Sequence, residues 1–396
     1  MNFKLIGCVL LIIGTCIGAG MLALPLATAS LGFAGATLMF LACWLVMTLS
    51  GFLILEVNLW FKANSHLVSM AKATLGPWGQ LVTWLTYLLL FYSLLSDYIA
   101  GGSDLFRYVL ELAGVSLSPF LSATFFTILF GIIVLFGIRS VDIVNRGLMT
   151  VKLLAYLCVV LLLTPYIKPN YLLTGDIKQL SSLGALTVTI TSFGFANVIP
   201  SFRAYFAGDV VQLRRAIFFG SFIQLLCYLA WVVVVMGVIP LNGEHGLLAI
   251  MQSENSTSDL AVNLTQVAQS AGIQFAIRLF TSICVVTSFL GVSIALVDFL
   301  ADWLRLEKQS MSGIFVYVLA FVPPYLIALL YPHAFIQALE YAGIYCLILL
   351  VLLPALMAWR GRYVKHLTGA YQLPGGKPLL IMLILFAIIM ILRYLI

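Results

Sequence analysis

The feature that most constrains the fold is a succession of long apolar segments. Eleven runs of about 20 apolar residues, bounded by charged residues, glycine or proline, follow one another along the 396-residue chain. A run of that length crosses the hydrocarbon core of a bilayer as one α-helix. We predict membrane spans near residues 3–30, 34–61, 78–104, 118–138, 143–165, 183–206, 213–240, 272–304, 312–331, 335–359 and 377–395.

The composition agrees with a protein that lies almost entirely in the lipid bilayer. Only 9% of the residues are charged and 63% are hydrophobic, whereas a soluble domain has roughly 25% charged residues. The net charge of +6 would suggest a nucleic-acid partner in a soluble protein. Here its distribution between the loops explains it better, so no nucleic-acid partner is predicted. The seven cysteines lie in apolar segments without C-x-x-C spacing, which predicts neither disulfides nor a metal site.

The loops predict the orientation of the chain in the membrane. With the amino terminus inside, fourteen of the 20 lysines and arginines fall on the cytoplasmic side, five on the other side, and Lys152 within a span. Cytoplasmic loops are enriched in lysine and arginine. We therefore expect a cytoplasmic amino terminus and a periplasmic carboxyl terminus.

The first span contains an interruption, I-I-G-T-C-I-G-A-G-M-L-A-L-P, from Ile12 to Pro25. Gly14, Gly18 and Gly20 weaken a helix and free the backbone for unusual dihedral angles. Because unpaired backbone groups are costly in lipid, a break here must face protein or a cavity. The amino end of a half-helix that starts near Gly20 would point free N–H groups at that cavity, an arrangement that suits a carboxylate.

The segment allows three other interpretations. Gly14 and Gly18 fit the G-x-x-x-G pattern of close helix packing, and this alternative stays open. A signal peptide with an A-x-A-like site at residues 27–29 is disfavoured by the glycine interruption and the ten further spans. A dinucleotide-binding loop would need a preceding strand and a βαβ unit, which the sequence does not predict.

A second interruption lies in span six, in T-S-F-G-F-A-N-V-I-P-S from Thr191 to Ser201. Gly194, Asn197 and Pro200 break the apolar run, although Pro200 as a simple kink is an alternative. Because spans one and six are the broken ones, each unit that starts with a broken span has five spans, and an odd number reverses the direction of entry into the membrane. This predicts two inverted repeats, residues 1–165 and 183–359, with an additional helix at 377–396.

Two ionisable side chains are predicted inside spans. Lys152 lies about nine residues into span five, or roughly 13 Å deep at 1.5 Å per residue, where an ionisable group is costly and typically functional. We predict that it couples transport to a proton; the alternative is that it extends to the cytoplasmic interface. Asp97 in span three is a candidate proton relay, a partner for a substrate amino group, or a residue near the outer interface.

Aromatic side chains lie close to both interruptions. Phe193 and Phe195 flank Gly194, Tyr92 belongs to span three, and Phe289 follows two hydroxyl residues in span eight. Each of them is consistent with ordinary helix packing. Gathered around one cavity, they would suit a flat apolar side chain.

Several motifs together resemble one family, the bacterial aromatic amino acid permeases, and most closely its tyrosine-specific branch. The resemblance covers nearly the whole chain. The motifs are G-T-C-I-G-A-G-M-L-A-L-P (Gly14 to Pro25), L-I-L-E-V (Leu53 to Val57), T-S-F-G-F (Thr191 to Phe195), T-S-F-L-G-V (Thr287 to Val292), D-F-L-A-D (Asp298 to Asp302), Y-P-H-A-F-I-Q-A-L-E-Y-A-G (Tyr331 to Gly343) and G-G-K-P (Gly375 to Pro378).

The resemblance implies an all-α polytopic protein of the bacterial inner membrane with eleven helices. It implies the LeuT-type 5+5 inverted repeat plus one extra helix, with helices 1 and 6 broken. Such a protein is expected to act as a monomeric symporter for an aromatic amino acid and a proton, without a cofactor and without enzymatic activity.

The resemblance also implies roles for individual residues. The substrate carboxylate is expected on the N–H groups of Gly18, Ala19 and Gly20, and the ammonium on carbonyls near Thr15 and around Ser192 and Phe193. Lys152 is expected in the place of a bound sodium ion. The complete predicted substrate site comprises Gly14, Thr15, Cys16, Ile17, Gly18, Ala19, Gly20, Tyr92, Ser192, Phe193, Gly194, Phe195, Asn197 and Phe289.

The sequence departs from the family pattern at the second break. It has F-G-F-A-N, with Ala196 and Asn197 where a histidine and a glycine are usual, and Asp97 stands where a small residue is expected. The Asn197 amide is suited to a phenol hydroxyl. The resemblance implies proton-driven import of an aromatic amino acid, and the Asn197 amide makes tyrosine the first candidate.

Alternative functions are sodium coupling through Thr287 and Ser288, transport of tryptophan or of a broader set of neutral amino acids, and a passive channel or exporter. An enzyme is not indicated. The four histidines are scattered over loops, and no cluster of residues has the spacing of metal ligands or of a nucleophile and its base.

Overall fold

The computed structural model describes residues 3–62, 65–136, 138–206, 208–267, 270–304, 306, 313–331 and 334–395. Within these residues all regular structure is helical, and no strand is present. The α-helices are α1 (Phe3–Cys16), α2 (Ala19–Ala27), α3 (Gly32–Leu59), α4 (Leu67–Leu75), α5 (Pro77–Leu112), α6 (Pro119–Leu135), α7 (Ile138–Leu163), α8 (Pro169–Leu172), α9 (Leu183–Ser192), α10 (Ile199–Tyr205), α11 (Val210–Val238), α12 (Leu247–Gln252), α13 (Ser256–Val267), α14 (Ala271–Leu304), α15 (Gly313–Leu330), α16 (Ala334–Cys346), α17 (Leu353–Tyr363) and α18 (Gly376–Leu395).

Eight helical segments in the described part of the chain are long and apolar enough to cross a membrane. The chain is therefore a polytopic membrane protein, as predicted. The eight segments coincide with predicted spans two, three, five and seven to eleven. They are Ala29–Leu59, Pro77–Leu112, Ile143–Tyr166, Val210–Val238, Ala271–Leu304, Gly313–Leu330, Phe335–Tyr363 and Gly376–Tyr394.

The remaining three predicted spans are interrupted or short. Residues 7–14 and α2 form a pair of helices bent by 55°, which makes a ninth segment if counted as one span. The other two are the apolar helical stretches Pro119–Leu135 and Leu183–Val198. In the second of these, α9 ends at Ser192, and a 3₁₀ turn, Phe195–Val198, leads into α10. Both predicted interruptions are thus present as breaks in the helix.

The two broken helices lie in the interior of the molecule. α1 packs against α11 and α2 packs against α9, while α14 packs against both α5 and α7. Large apolar side chains are exposed along α6, α15 and α18. Apolar side chains of this kind face lipid at the periphery of a membrane protein. The arrangement surrounds the broken backbone with protein, so that its polar groups do not meet lipid.

The polar stretch between predicted spans seven and eight contains two helices in its described part, α12 and α13. Asp104 of α5 anchors α13: its carboxylate accepts hydrogen bonds from the backbone N–H of Ser258 at 2.7 Å and from the Ser258 hydroxyl at 2.8 Å. A carboxylate that caps a helix start in this way favours the packing of the two elements.

Candidate functional site

A cavity of about 280 Å³ lies between the two breaks. From the broken helices and the 3₁₀ turn it is lined by Gly14, Cys16, Gly18, Ala19, Gly20, Thr191, Ser192, Gly194, Phe195, Asn197 and Val198. The surrounding helices contribute Leu90, Phe91, Leu94, Tyr98, Asn145, Met149, Lys152, Thr287, Ser288, Gly291, Val292, Ala295, Leu339, Cys346 and Leu350. A cavity of this size with few polar groups suits a small organic ligand.

The first break depends on close packing at Gly18. Its φ of −155° and ψ of −156° are extended backbone that any residue adopts, so unusual dihedral angles, which the sequence suggested, are not the reason for this glycine. A Cβ at Gly18 would collide with the Ser288 hydroxyl. That hydroxyl accepts a hydrogen bond from the N–H of Ala19 at 3.2 Å. Glycine therefore lets Ser288 of α14 approach the start of α2, and a larger residue would require that hydroxyl to move.

The amino end of α2 offers backbone donors to the cavity. Among the described residues, the N–H groups of Gly18 and Gly20 have no hydrogen-bond acceptor. Both residues line the cavity together with Ala19. Free N–H groups and the positive end of the helix dipole together attract an anion such as a carboxylate.

The carboxyl ends of α1 and α9 meet at one side chain of α11. The hydroxyl of Tyr228 lies 2.8 Å from the carbonyl oxygen of Cys16 and 2.7 Å from that of Ser192. Gln224 Nε2 donates to the Ser192 carbonyl at 2.9 Å and to the Tyr228 hydroxyl at 3.1 Å. The amide has two hydrogens and the hydroxyl has one. Gln224 therefore donates to the Ser192 carbonyl and to the Tyr228 hydroxyl, and Tyr228 donates to the Cys16 carbonyl.

This network was not predicted from the sequence, and it changes the expected ammonium site. Ser192 was expected to offer its carbonyl to the substrate, but that carbonyl already accepts a bond from Gln224 and lies 2.7 Å from the Tyr228 hydroxyl. An ammonium group must therefore replace one of these donors or bind a neighbouring carbonyl. The only sequence signal was a Gln and a Tyr four residues apart in an otherwise apolar span, a spacing that places them on one helix face.

Lys152 lies at the centre of the structure, not at an interface. It is 1% exposed, and its ammonium nitrogen donates to the carbonyl oxygen of Gly14 and to the hydroxyl of Thr287, both at 2.9 Å. The alternative that it extends to the membrane surface is wrong. One charged group thus links α1, α7 and α14 beside the first break.

Asp97 is completely buried in α5. Among the described residues, neither of its carboxylate oxygens has a hydrogen-bond partner. It does not line the cavity, but the next residue, Tyr98, and Leu94 one turn earlier both do. A buried carboxyl without a partner is unusual enough in proteins to require an explanation.

The structure does not bring the expected set of aromatic residues to the cavity. Of the four, Phe195 lines it. The Tyr92 hydroxyl donates to the carbonyl of Leu319 at 2.8 Å, and Phe193 packs edge-on against Tyr228 at 5.1 Å. Phe289 is buried in a separate aromatic cluster with Phe126, Phe130 and Phe321.

The cavity takes its other aromatic walls from α5, where Phe91 and Tyr98 line it. The sequence did not single out these two because helix direction, which decides the face they occupy, was not known. Of the remaining predicted site residues, Asn197 lines the cavity with an exposed side chain, and Ile17 is buried outside the lining. Thr15 belongs to α1, and its side chain lies outside the described residues.

The cavity extends toward one side of the membrane. On α7 the lining residues Asn145, Met149 and Lys152 form one face and run back toward the start of that helix. On α14 the lining continues past Ser288 to Ala295, toward the end of that helix. The start of α7 and the end of α14 are both on the side that the sequence predicts to be cytoplasmic.

Comparison with known proteins places this geometry in context. The sequence profile of the tryptophan/tyrosine permease family matches residues 1–394. The chain is 32% identical to the "Tyrosine-specific transport system 1" of Haemophilus influenzae, over 98% of this chain and 95% of that protein. It is 30% identical to the "Tryptophan-specific transport protein" of Pseudomonas aeruginosa, over 97% and 93%. It is 31% identical to the "Glutamine transporter 2" of Aliivibrio fischeri, over 99% of both chains.

Proposed function

Because the chain belongs to the tryptophan/tyrosine permease family, we propose that it is a proton-coupled symporter that imports an aromatic amino acid, with tyrosine as the first candidate, across the bacterial inner membrane. The observation that carries the proposal is the buried contact of Lys152 with Gly14 and Thr287, directly beside a cavity bounded by two helix breaks. Paired broken helices around a central cavity are characteristic of secondary transporters.

The proposed architecture has eleven membrane spans. The eight long helices, the bent pair and the two shorter apolar stretches together supply that number. We assign residues 1–165 and 183–359 to two inverted repeats of the LeuT type, and the last helix to an addition outside them. The positions of the two breaks, one near the start of each proposed repeat, support this assignment.

The proposed position of the substrate follows from the backbone polarity of the breaks. The carboxylate binds the N–H groups of Gly18 and Gly20 at the start of α2, where the helix dipole favours an anion. The Ala19 N–H, expected in the same set, already donates to the Ser288 hydroxyl and would have to exchange that partner for the carboxylate. The ammonium binds at the carboxyl ends of α1 and α9, where carbonyls and the opposite dipole ends favour a cation. A zwitterion thus fits across the break with each charge at the matching helix end.

The side chain of the substrate would then lie among Phe91, Tyr98 and Phe195. Their rings favour a flat apolar group, and burial contributes about 25 cal/mol per Å². Asn197 is the residue that we assign to the phenol hydroxyl of tyrosine. A placed amide selects for that hydroxyl, because phenylalanine would leave the amide unpaired.

Proton coupling is assigned to Lys152, with Asp97 as a candidate relay. In its charged form Lys152 binds the Gly14 carbonyl and the Thr287 hydroxyl and so holds α1 against α7 and α14. Loss of the proton weakens both bonds, which couples protonation to the arrangement of the first break. Asp97 is buried without a partner close to the cavity, and a group of that kind is suited to carry a proton during part of the cycle.

We assign the amino terminus to the cytoplasm and the carboxyl terminus to the periplasm, as the charges in the loops indicate. With this orientation the direction of the cavity supports an inward-facing state. The lining along α7 and α14 runs toward the proposed cytoplasmic side. On the opposite side Tyr98 is buried, and α13 is fixed to α5 through Asp104 and Ser258. Transport would then require that this outer side open while the inner side closes.

Uptake by proteoliposomes tests this proposal. Labelled tyrosine should accumulate when the outside is more acidic, and a protonophore should abolish the accumulation. Competition by tryptophan, phenylalanine and glutamine ranks the substrates, since relatives are described for tyrosine, tryptophan and glutamine. Uptake that is stimulated by sodium and indifferent to the pH gradient would replace proton coupling by sodium coupling, and uptake that never saturates would indicate a passive channel.

A further inference from the structure

A groove of about 480 Å³ lies on the outside of the molecule between the start of α11 and α3, and it shares no lining residue with the cavity described above. It is lined by Phe52 of α3 and by Val211, Arg214, Arg215, Phe218 and Phe219 of α11. The α11 residues recur at intervals of three and four, so they form one face of that helix. Val211, Phe218 and Phe219 are between 43% and 54% exposed, so this face is not covered by another helix.

Among the residues with a described position, the two arginines of the groove have no acidic partner. Neither Arg214 nor Arg215 forms an ion pair with any residue that the structure describes. The guanidinium of Arg214 stacks over the ring of Tyr371 at 4.8 Å, and that ring packs against Phe52 at 6.4 Å. Stacking fixes the plane of the guanidinium, and those N–H groups that are not turned to the Tyr371 hydroxyl can bind an anion.

The polarity of the groove has a direction along α11. The arginines are four residues before the two phenylalanines, which is about 6 Å along the helix, and they lie close to its first residue, Val210. Deeper in the span, Trp44 of α3 contacts Phe218 and Phe222. Positive charge at the membrane surface followed by apolar rings toward the bilayer centre is complementary to a lipid with an anionic head.

We propose that this groove binds one anionic phospholipid. Its phosphate accepts hydrogen bonds from Arg214 and Arg215, and one acyl chain lies along Phe52, Phe218 and Phe219. A guanidinium pairs with a phosphate through two parallel bonds, so two arginines hold a phosphodiester firmly. A second copy of the chain fits less well, since a two-fold contact through this face would bring the arginine pairs together.

The proposal is tested by the melting temperature of the purified protein in detergent, with phosphatidylglycerol, phosphatidylcholine or inorganic phosphate added. A ligand that binds the folded state raises the melting temperature. We expect phosphatidylglycerol to raise it in a saturable way, and the other two to have little effect. Equal stabilisation by phosphatidylcholine, or by inorganic phosphate alone, would overturn the assignment.

The matched variants are Arg214→Ala/Arg215→Ala and, as control, Lys62→Ala/Lys72→Ala, which removes the same charge from exposed positions outside the groove. We expect roughly tenfold weaker binding of phosphatidylglycerol for the arginine pair, and no change for the lysine pair. Equal loss in both would reduce the effect to net charge and contradict a specific site. If the arginine pair fails to fold, Arg215→Glu alone gives the same comparison.

The acyl chain is placed by fluorescence. Phosphatidylglycerol with brominated tails should quench Trp44, which packs on the groove face. The saturable part of the quenching should therefore be smaller in Trp44→Phe, which keeps the other six of the seven tryptophans. Quenching that is unchanged in this variant would place the lipid elsewhere. A protein that is dimeric in detergent and loses dimers on Arg215→Glu would show instead that a second copy covers this face.

Discussion

The ammonium nitrogen of Lys152 lies 2.9 Å from the carbonyl oxygen of Gly14, two residues before the end of α1. The same nitrogen lies 2.9 Å from the hydroxyl of Thr287, whose own proton points to carbonyls one turn earlier in α14. Three helices are thus linked through one titratable group. Their mutual arrangement at the first break becomes sensitive to whether that group carries its proton.

Replacement of Lys152 by alanine is expected to uncouple transport. The variant lacks the charge that joins α1 to α7 and α14, so a proton gradient can no longer drive accumulation. Internal tyrosine should reach no more than the external concentration, while exchange of internal for external tyrosine remains measurable. The measurement is uptake and counterflow in proteoliposomes.

Lys168→Ala is the control for this experiment. Lys168 has an exposed side chain and lies between the end of α7 and the start of α8. It should accumulate tyrosine as the wild type does. Full accumulation by Lys152→Ala would remove the proton-coupling role. Loss of both accumulation and exchange would indicate a structural defect instead.

Replacement of Tyr228 by phenylalanine tests the junction between the two broken helices. The variant removes the hydroxyl that lies against the carbonyls of Cys16 and Ser192. A buried carbonyl left without its donor costs about 1–3 kcal/mol, and displaced carbonyls bind an ammonium less well. We expect a roughly tenfold higher KM for tyrosine and a smaller change in maximal rate.

A matched control exists in the same chain. The Tyr156 hydroxyl donates to the carbonyl of Cys227 at 2.9 Å, and neither residue lines the cavity, so Tyr156→Phe should lose similar stability without a change in KM. Competition by 3-(4-hydroxyphenyl)propionate, which lacks the amino group, completes the test. If Tyr228→Phe weakens the binding of this analogue as much as the binding of tyrosine, the Tyr228 hydroxyl does not act through the ammonium site.

The long apolar spans and both breaks could be predicted from the sequence, because lipid forces each backbone group to pair within its helix and glycine or proline interrupts that pairing. Lys152 could be singled out because a charge at that depth requires a partner. The faces that helices turn toward one another are set by packing among distant segments. For this reason the sequence did not reveal Tyr228 and Gln224, and it placed Tyr92 and Phe289 at a cavity that they do not line.

The close approach of Gly18 to Ser288 predicts a pair of compensating mutations. Gly18→Ala places a methyl group against the Ser288 hydroxyl, so the break must shift and uptake should fall by roughly tenfold or more. Ser288→Ala removes the oxygen that causes the collision, and the double variant should recover part of the lost uptake. Uptake assays on the two single variants and the double variant measure this recovery.

Gly147→Ala serves as the reference for adding a methyl group. A Cβ at Gly147 meets no atom within 4 Å, and this exposed position in α7 should tolerate alanine with unchanged uptake. A double variant no better than Gly18→Ala alone would show that the contact with Ser288 is not what requires glycine.

The last prediction concerns a buried ion pair on the proposed cytoplasmic side. Glu56 accepts bonds from Arg362 Nε at 2.7 Å and from its Nη2 at 2.5 Å, and from the backbone N–H of Leu373 at 2.8 Å. The Glu56 side chain is fully buried. Glu56→Ala removes the carboxylate that accepts bonds from the buried guanidinium of Arg362 and from the backbone N–H of Leu373. We expect a loss of about 3–5 kcal/mol in the free energy of unfolding, measured by denaturation in detergent.

The comparison is with the exposed pair of Arg107 and Glu111, whose side-chain atoms are 4.0 Å apart with Glu111 half exposed. Glu111→Ala should change the free energy of unfolding by no more than about 1 kcal/mol, since solvent screens such pairs. Arg362→Met added to Glu56→Ala removes the uncompensated charge and should recover part of the stability. Equal effects of Glu56→Ala and Glu111→Ala would contradict a stabilising role for the buried pair and its contact with Leu373.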